Sequence, residues 1–461
     1  MNITVSYRLI DYVLWHHARH PVGGTGGWRG ELTVWSVHGD GRRLRDGEVV
    51  APDERLSWPL TIGLGVQHVA AMFSATVLVP ALTGFPATTT LLFSGLGTLL
   101  FVVITRNRIP SYLGSSFAFV APLVAAVNES PAAKLGGVLV AGLLLIGVGI
   151  AVKALGVRLL ESVMPPVVTG AVVVIIGLSL VPNATDNFGE QPLIALVTVA
   201  VITGCTVVAR GLLSRVSILA GVLAGWITAA VAGGIDPDKA ERLGASAWLG
   251  LPELQSPQFR PTVILVVIPV VLVLVAENVG HVKAVAAVTG RNLDGSVGDA
   301  LIANGLATAL AGAGGGSGTT TYAENIGVMA ATRVYSTATY VVAAAASVLL
   351  SLSPKFGALI DTVPAGVLGG ASVLLYGMIA LVGVRIWQEN RVDFAEPVNL
   401  AVVAVAVAAG VGNLTVTLGG MTVDGIGWGS IAVVAAHPLL RWLRRRGRGG
   451  GSDLSARRPR G

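Results

Sequence analysis

Two glutamates set in otherwise lipid-like sequence carry the chemistry of this chain. Glu324 lies in Thr320-Thr-Tyr-Ala-Glu-Asn-Ile-Gly-Val-Met-Ala-Ala-Thr-Arg333, and Glu277 ends the apolar run Val263 to Ala276 in Val273-Leu-Val-Ala-Glu-Asn-Val-Gly-His281. A charged side chain at the centre of a bilayer costs roughly 3 kcal/mol on insertion scales, so each acid marks a functional site by default. His281 follows Glu277 by one helical turn and shares its face. Two carboxylates in one desolvated cavity cannot both ionise cheaply, so one of them is expected to hold a proton near neutral pH. An imidazole, whose unperturbed pKa is about 6.5, can take or stabilise the same proton. Simpler readings stay open beside this one. Glu324 alternatively caps its own helix, a dipole effect worth only about 0.3 to 1 kcal/mol. Glu277 and His281 alternatively form a closed intrahelical pair that fixes packing. Glu277, His281 and Glu324 as metal ligands would lack a second imidazole and an evident outer shell, so neither metal nor cofactor is expected.

The elements that position these groups follow from composition. Of 461 residues, 53% are hydrophobic and 12% charged, against about 25% charged in soluble domains. With repeated apolar runs of about 20 residues, this places the chain among polytopic helical membrane proteins. The 60 glycines fit, since Gly lets membrane helices approach closely and interrupts them where a site needs bare backbone. A single cysteine, Cys205, excludes an intramolecular disulfide and any multi-thiolate metal site. The net charge of +6 is spread by topology rather than gathered on a domain, which argues against a nucleic-acid partner.

Fourteen spans are expected: 59 to 82, 86 to 105, 112 to 127, 134 to 153, 165 to 181, 192 to 209, 215 to 234, 261 to 281, 298 to 314, 320 to 331, 335 to 352, 363 to 384, 397 to 411 and 425 to 442. An even count puts both termini on one side. With the termini inside, eleven basic residues (Arg106, Arg108, Lys153, Arg158, Arg210, Arg215, Lys283, Arg291, Arg333, Arg385, Arg391) fall in cytoplasmic connections, against five (Lys134, Lys239, Arg242, Arg260, Lys355) outside. That asymmetry obeys the positive-inside rule. Residues 1–57 read as a cytoplasmic segment without a signal-peptide core. A misassigned translation start stays open for 1–30, and 31–57 is expected to form a short surface hairpin, with turns at Gly39-Asp-Gly41 and Pro52-Asp53. Residues 443–461, rich in Arg and Gly, read as a basic cytoplasmic tail, attracted to anionic lipid or simply solvated.

Two spans are too short and polar to be simple helices. Ser111-Tyr-Leu-Gly-Ser-Ser-Phe117 opens the third and Gly314-Gly-Gly-Ser-Gly-Thr-Thr-Thr-Tyr322 the tenth, each reading as extended backbone followed by a half-helix. If the chain is two repeats of seven spans, they stand at corresponding places, third of seven. Interrupted segments at matching places in two halves point to a transporter's midplane site, and an odd number of spans per half makes the repeats inverted.

At these residues the chain resembles the nucleobase-ascorbate transporter (nucleobase:cation symporter-2) family, in particular its bacterial uracil permeases. The family signature, an acid, amide or Pro followed by Asn-x-Gly-x4-Thr-Arg, is met by Glu324, Asn325, Gly327, Thr332 and Arg333, with further matches at Gln67-His68, Pro110-Ser-Tyr-Leu-Gly-Ser-Ser-Phe117, Glu277 and His281. The resemblance spans about residues 57 to 440. It implies an all-α fold of fourteen spans in two inverted seven-span repeats, with a core domain (58–153 and 261–352) and a gate domain (165–234 and 363–442). It further implies proton-coupled import of uracil across the bacterial cytoplasmic membrane and homodimers formed through the gate domain. Glu277 and Glu324 would hold the base, backbone amides at Phe117 and Ala323 would meet its carbonyls, and the rings of Phe117 and Tyr322 would flank it. Glu277, His281 and Glu324 would couple the proton, with Gln67, His68, Ser116, Asn325, Thr332 and Arg333 in support. His68 is more often a satisfied packing residue than a substrate contact. Gly318-Thr319 stands where many relatives have Pro-Asn, which is expected to loosen this strand. Alternatives on the same fold are a xanthine or urate permease, in which Gln is common at the Glu324 position, a channel, and an anion exchanger, which two acids oppose.

Overall fold

The computed structural model describes residues 35–449, apart from 46, 127, 158–163, 419–420 and 424. The expectations for 1–30, for Arg158 and for the tail beyond 449 lie outside the described residues.

The chain is predominantly helical. Strands β1 (Ser36–Val37) and β2 (Glu54–Arg55) precede helices α1 (Trp58–Thr83) and α2 (Ala87–Ile104). Strand β3 (Leu113–Ser115), a 3-10 turn at Phe117–Phe119 and α3 (Val120–Ala125) follow, then α4 (Pro131–Leu155). Next come α5 (Pro166–Ser179), α6 (Val181–Glu190), α7 (Pro192–Val208), α8 (Leu212–Arg215), α9 (Ser217–Val231) and α10 (Pro237–Ala245). The second half holds α11 (Pro261–Thr289), α12 (Val297–Gly314), β4 (Thr319–Thr321), α13 (Ala323–Thr332), α14 (Thr337–Ser351), α15 (Pro354–Asp361), α16 (Ala365–Glu389), α17 (Pro397–Val411), the hairpin β5 (Val416–Leu418) and β6 (Met421–Val423), and α18 (Gly425–Gly449). Proline at the first turn starts α4, α5, α7, α11 and α17, where its missing N–H costs nothing. Glycine in the left-handed conformation closes α1, α11 and α12.

Among the described residues, seven helical stretches are long and apolar enough to cross a membrane, or eight if the α14–α15 pair, bent by 85°, counts as one span. The apolar helices α7, α9 and α17 have 17, 15 and 15 residues, under the ~20 that span hydrocarbon upright. Large apolar side chains point outward along these helices, among them Leu193, Leu196, Ile227 and Leu381. This is the surface of a multi-pass membrane protein, whose outer face meets lipid rather than water.

Helices pack in two sets. α12 lies on α4 through Gly142, Gly149, Gly305 and Gly312, and α14 lies on α2 and α1, while α16 packs on α5 and α7, α9 on α7, and α17 on α18 and α5. Between α10 and α11, residues 246–260 run extended and tie the first set together by main-chain bonds from Gly250 to Leu352, Gln255 to Gly314 and Gln258 to Ala132.

Several expectations need correction. Residues 36–55 form no hairpin: β1 and β2 pair in parallel. The Gly39–Gly41 turn sends the chain out to Val50, which bridges to Val334 before the chain re-enters beside β1 in the same direction. The eighth span continues to Thr289, so Lys283 sits on a helix rather than in a connection. The last helix runs through 443–449, and Arg441 and Arg444 both pair with Glu396. Helices α6, α10 and α15 were not anticipated, because they are short and mixed in polarity.

A candidate substrate site between two crossed arms

The extended Gly/Ser/Thr stretches meet each other. β3 and β4 pair antiparallel, with Leu113 opposite Thr321, Gly114 opposite Thr320 and Ser115 opposite Thr319. The ladder is prolonged at both ends, by Ser116 N–H to the Gly318 carbonyl at 2.9 Å and Tyr322 N–H to the Tyr112 carbonyl at 3.2 Å. Each arm is clamped by a threonine of the preceding helix. Thr98 on α2 accepts from Leu113 N–H and donates to its carbonyl, and Thr308 on α12 does the same for Thr319. Short helices then leave the crossing, with Phe117 and Ala323 at their first positions. Helix geometry leaves the first N–H groups of such helices without intrahelical partners and with a positive dipole end.

Helix α11 passes beside β4 and places its acid there. Thr320 Oγ1 donates to Glu277 Oε2 at 3.0 Å, with Ser116 and the Glu324 carboxylate nearby. Glu324 stands in the first turn of α13. Both acids, Phe117 and His281 are half-buried, and Ala323 is exposed, so the acids face an opening rather than a dry core. His281 does not pair with Glu277. Its Nδ1 contacts Thr321 Oγ1 at 2.7 Å, and that hydroxyl donates to Asn278 Oδ1 at 3.4 Å. Glu277 thus grips Thr320 while His281 and Asn278 share Thr321, which replaces the closed intrahelical pair.

The remaining expected residues divide between the opening and its frame. Tyr322 is buried, donates from its hydroxyl to the Ser115 carbonyl at 2.8 Å and lays its ring on Gly114. Its role here is to brace the crossing. His68 is also buried. It takes the Asn325 amide on both Nδ1 and its carbonyl at 3.0 Å and stacks on Tyr340 with ring centroids 4.4 Å apart, while Gln67 beside it is half-buried. Thr332 and Arg333 close α13 at its far end: Thr332 Oγ1 bonds back to the Val328 and Met329 carbonyls, and Arg333 adopts the left-handed conformation at φ 57°. At 1.5 Å per residue, Arg333 lies roughly 13 Å along the helix from Glu324 and finishes the helix rather than lining the opening. Gly318-Thr319 is closely packed. Phe119 covers Gly318, where a Cβ would come within 2.2 Å of its ring, and Thr319 also reaches Asn304 Oδ1. Sequence reasoning missed Thr320, Thr321 and Asn278, whose signal was a run of three threonines and an amide adjoining an acid. Among the described residues, no three His, Cys, Asp or Glu side chains gather as metal ligands.

A Cβ at Gly114 would stand 2.6 Å from the Tyr322 ring. Overpacking of this kind costs about 1–3 kcal/mol. Gly114→Ala is therefore expected to lower the thermal stability of the purified protein and to weaken substrate binding roughly tenfold or more by shifting Tyr322 and the adjoining helix start. Unchanged melting and binding would show that the ring does not hold the crossing.

Comparison with known proteins bears on what such a site serves. A family model described as a permease family matches residues 60–419. The chain belongs to that family, the nucleobase:cation symporter-2 permeases. Among its relatives in this permease family are the candidate pyrimidine permease RutG of Escherichia coli (strain K12), 47% identical over 85% of this chain and 92% of the relative, and the uracil permease of the same strain, 38% identical over 83% and 92%. Among solved structures, the murine Slc26a9 anion transporter in the inward-facing state is similar in fold, with a TM-score of 0.63 over 85% of this permease and 70% of that chain at 10% identity. At that identity the likeness speaks for fold alone. The protein is a transporter, not an enzyme.

Proposed function

We propose that this permease imports a nucleobase, uracil foremost, together with protons across the bacterial cytoplasmic membrane by alternating access. The observation that carries the reading is the pair of half-buried acids, Glu277 and Glu324, set beside two helix starts at a crossing of broken segments. Uracil offers two ring N–H donors and two carbonyl acceptors. Carboxylates accept from the former and free helix amides donate to the latter, so the hydrogen-bonding inventories match. Phe117 and the amides of Phe117 and Ala323 take the remaining contacts, and the uracil permeases among the relatives support the choice of base.

Fourteen spans in two inverted repeats fit the fold. The eight long spans, three shorter apolar helices, α18 and the two broken segments make that number. Thr98 with Leu113 and Thr308 with Thr319 repeat one device in the two halves, and Gly97 faces Ala307 at the equivalent place. The α4–α12 packing in turn mirrors that of α14 on α2. On this reading the set containing α1–α4 and α11–α14 is the core domain, the set containing α5, α7, α9 and α16–α18 is the gate, dimers form through the gate, and both termini face the cytoplasm.

Labelled uracil uptake, competed by unlabelled uracil, thymine, xanthine and urate, tests the substrate. Uracil is expected to compete best and xanthine and urate weakly, since Glu324, when ionised, offers only acceptors where a donating amide would suit a purine. Stronger competition by xanthine or urate would make the chain a purine permease.

A further inference from the structure

Residues 35–57 lie ahead of the family match, and the transport reading leaves them without a role. They are nevertheless bound to the end of the helix that carries Glu324. Val50 N–H donates to the Arg333 carbonyl at 3.0 Å, Tyr335 N–H donates to the Val50 carbonyl at 2.8 Å, and Thr337 N–H donates to the Pro52 carbonyl at 3.0 Å. This three-bond ladder begins at the residue that closes α13. Beside it Val50, Leu56 and Val334 form a buried apolar cluster, with Leu44 and Leu64 packed on it. The buried Thr337 hydroxyl is the second anchor: it accepts from Trp35 Nε1 at 2.7 Å, donates to the Pro52 carbonyl at 2.9 Å, and touches the Asn107 side chain from the turn after α2. Asp53 reaches Arg291, just past the end of α11, at 2.9 Å, though this exposed pair adds little. The segment is itself folded. His38 sits between Glu48 and Glu54, Arg55 covers the Trp58 ring at 4.6 Å, and the Arg42 and Arg43 amides hold the Asp40 carboxyl below its ordinary range.

We propose that residues 35–57 are an intramolecular strap that fixes the far end of the Glu324 helix to the ends of α1, α2, α11 and α14, so that the two acids keep their relative position when the core moves. The contacts reach the end of α13, which carries Glu324, and, through the exposed Asp53–Arg291 pair alone, the residue just past α11, which carries Glu277; none of the strap's hydrogen bonds named here goes to the second packing set. The strap therefore stiffens one body rather than locking two together. The second half of this claim rests on the proposed substrate site. The first half does not.

The test uses the full chain in detergent or proteoliposomes, with Val50→Pro, Val50→Ile and Trp35→Phe. Proline removes the N–H that binds Arg333, isoleucine keeps it, and phenylalanine removes only the indole donor. Hydrogen exchange of the Tyr335 and Thr337 amides, read without any ligand, is expected to quicken roughly tenfold in Val50→Pro and less in Trp35→Phe, with Val50→Ile like wild type. Uracil KM is expected to rise about three- to tenfold in Val50→Pro with little change in maximal rate per transporter, because the acids lose register rather than chemistry. Unchanged exchange in both Val50→Pro and Trp35→Phe would overturn the strap. Quicker exchange with unchanged KM and maximal rate would overturn its link to the site. Quicker exchange in a protein whose wild type carries no uracil would leave the strap standing and remove the substrate reading instead.

Discussion

Glu324→Gln is expected to cut uracil uptake roughly 30- to 150-fold while leaving membrane insertion intact, as loss of a charge-assisted hydrogen bond worth about 2–3 kcal/mol requires. The carboxylate stands in the first turn of α13, half-buried at the opening, where it can accept an N–H from the base. An amide of the same shape keeps one acceptor but must point a donor at part of the site built to receive one. The fold should tolerate the change, because the helix is held elsewhere: by Asn325 on His68, by the Tyr322 hydroxyl on Ser115 and by Thr332 at its end. Uptake kinetics normalised to transporter in the membrane give the answer. A wild-type KM for uracil in this variant would refute the assignment, whereas a gain of xanthine competition would support it by exchanging acceptor for donor.

The second large effect is expected on coupling. Glu277→Gln should abolish uracil accumulation against a gradient while leaving exchange of uracil across the membrane measurable. The Gln side-chain oxygen can still accept from Thr320, so the grip of α11 on β4 survives and only the ionisable group is lost. Collapsing the pH gradient should strongly inhibit the wild type and barely touch the residual exchange of the variant. His281→Ala should behave as a weaker version, since its ring bonds Thr321 rather than the acid and its loss perturbs the neighbourhood without deleting the proton site. If Glu277→Gln accumulates uracil with the pH profile of the wild type, the proton is carried elsewhere and this mechanism fails.

The acids could be found in the sequence because a carboxylate in an apolar run is costly enough to need a reason. Their neighbours could not. Thr320 and Thr321 look alike along the chain, yet one serves Glu277 and the other His281, a division set by how β4 lies against α11. His68 was open to either a packing or a contact role. Only its bond to Asn325, 257 residues away, with the Tyr340 ring beneath it, gives it a framing one. Tyr322 carried an aromatic signal for stacking on a flat ligand, while in the fold its ring is spent on Gly114. The strap was the least legible part: strands of two residues show no alternation, and a surface hairpin was the nearest local reading of its turns.

The sequence by itself determined that this is a multi-pass membrane protein of a permease family, broken at two Gly/Ser/Thr-rich places and carrying two acids where lipid-like sequence should have none. Those are properties of composition and of runs along the chain, and solvent transfer energies read them directly. The tertiary structure alone decided that the two breaks cross, with Leu113 opposite Thr321 and Ser115 opposite Thr319, and that the N-terminal segment closes on the far end of α13. Such pairings join short segments through single hydrogen bonds over hundreds of residues. No local propensity encodes them, because each three-residue arm is stable only against a partner that the rest of the fold delivers.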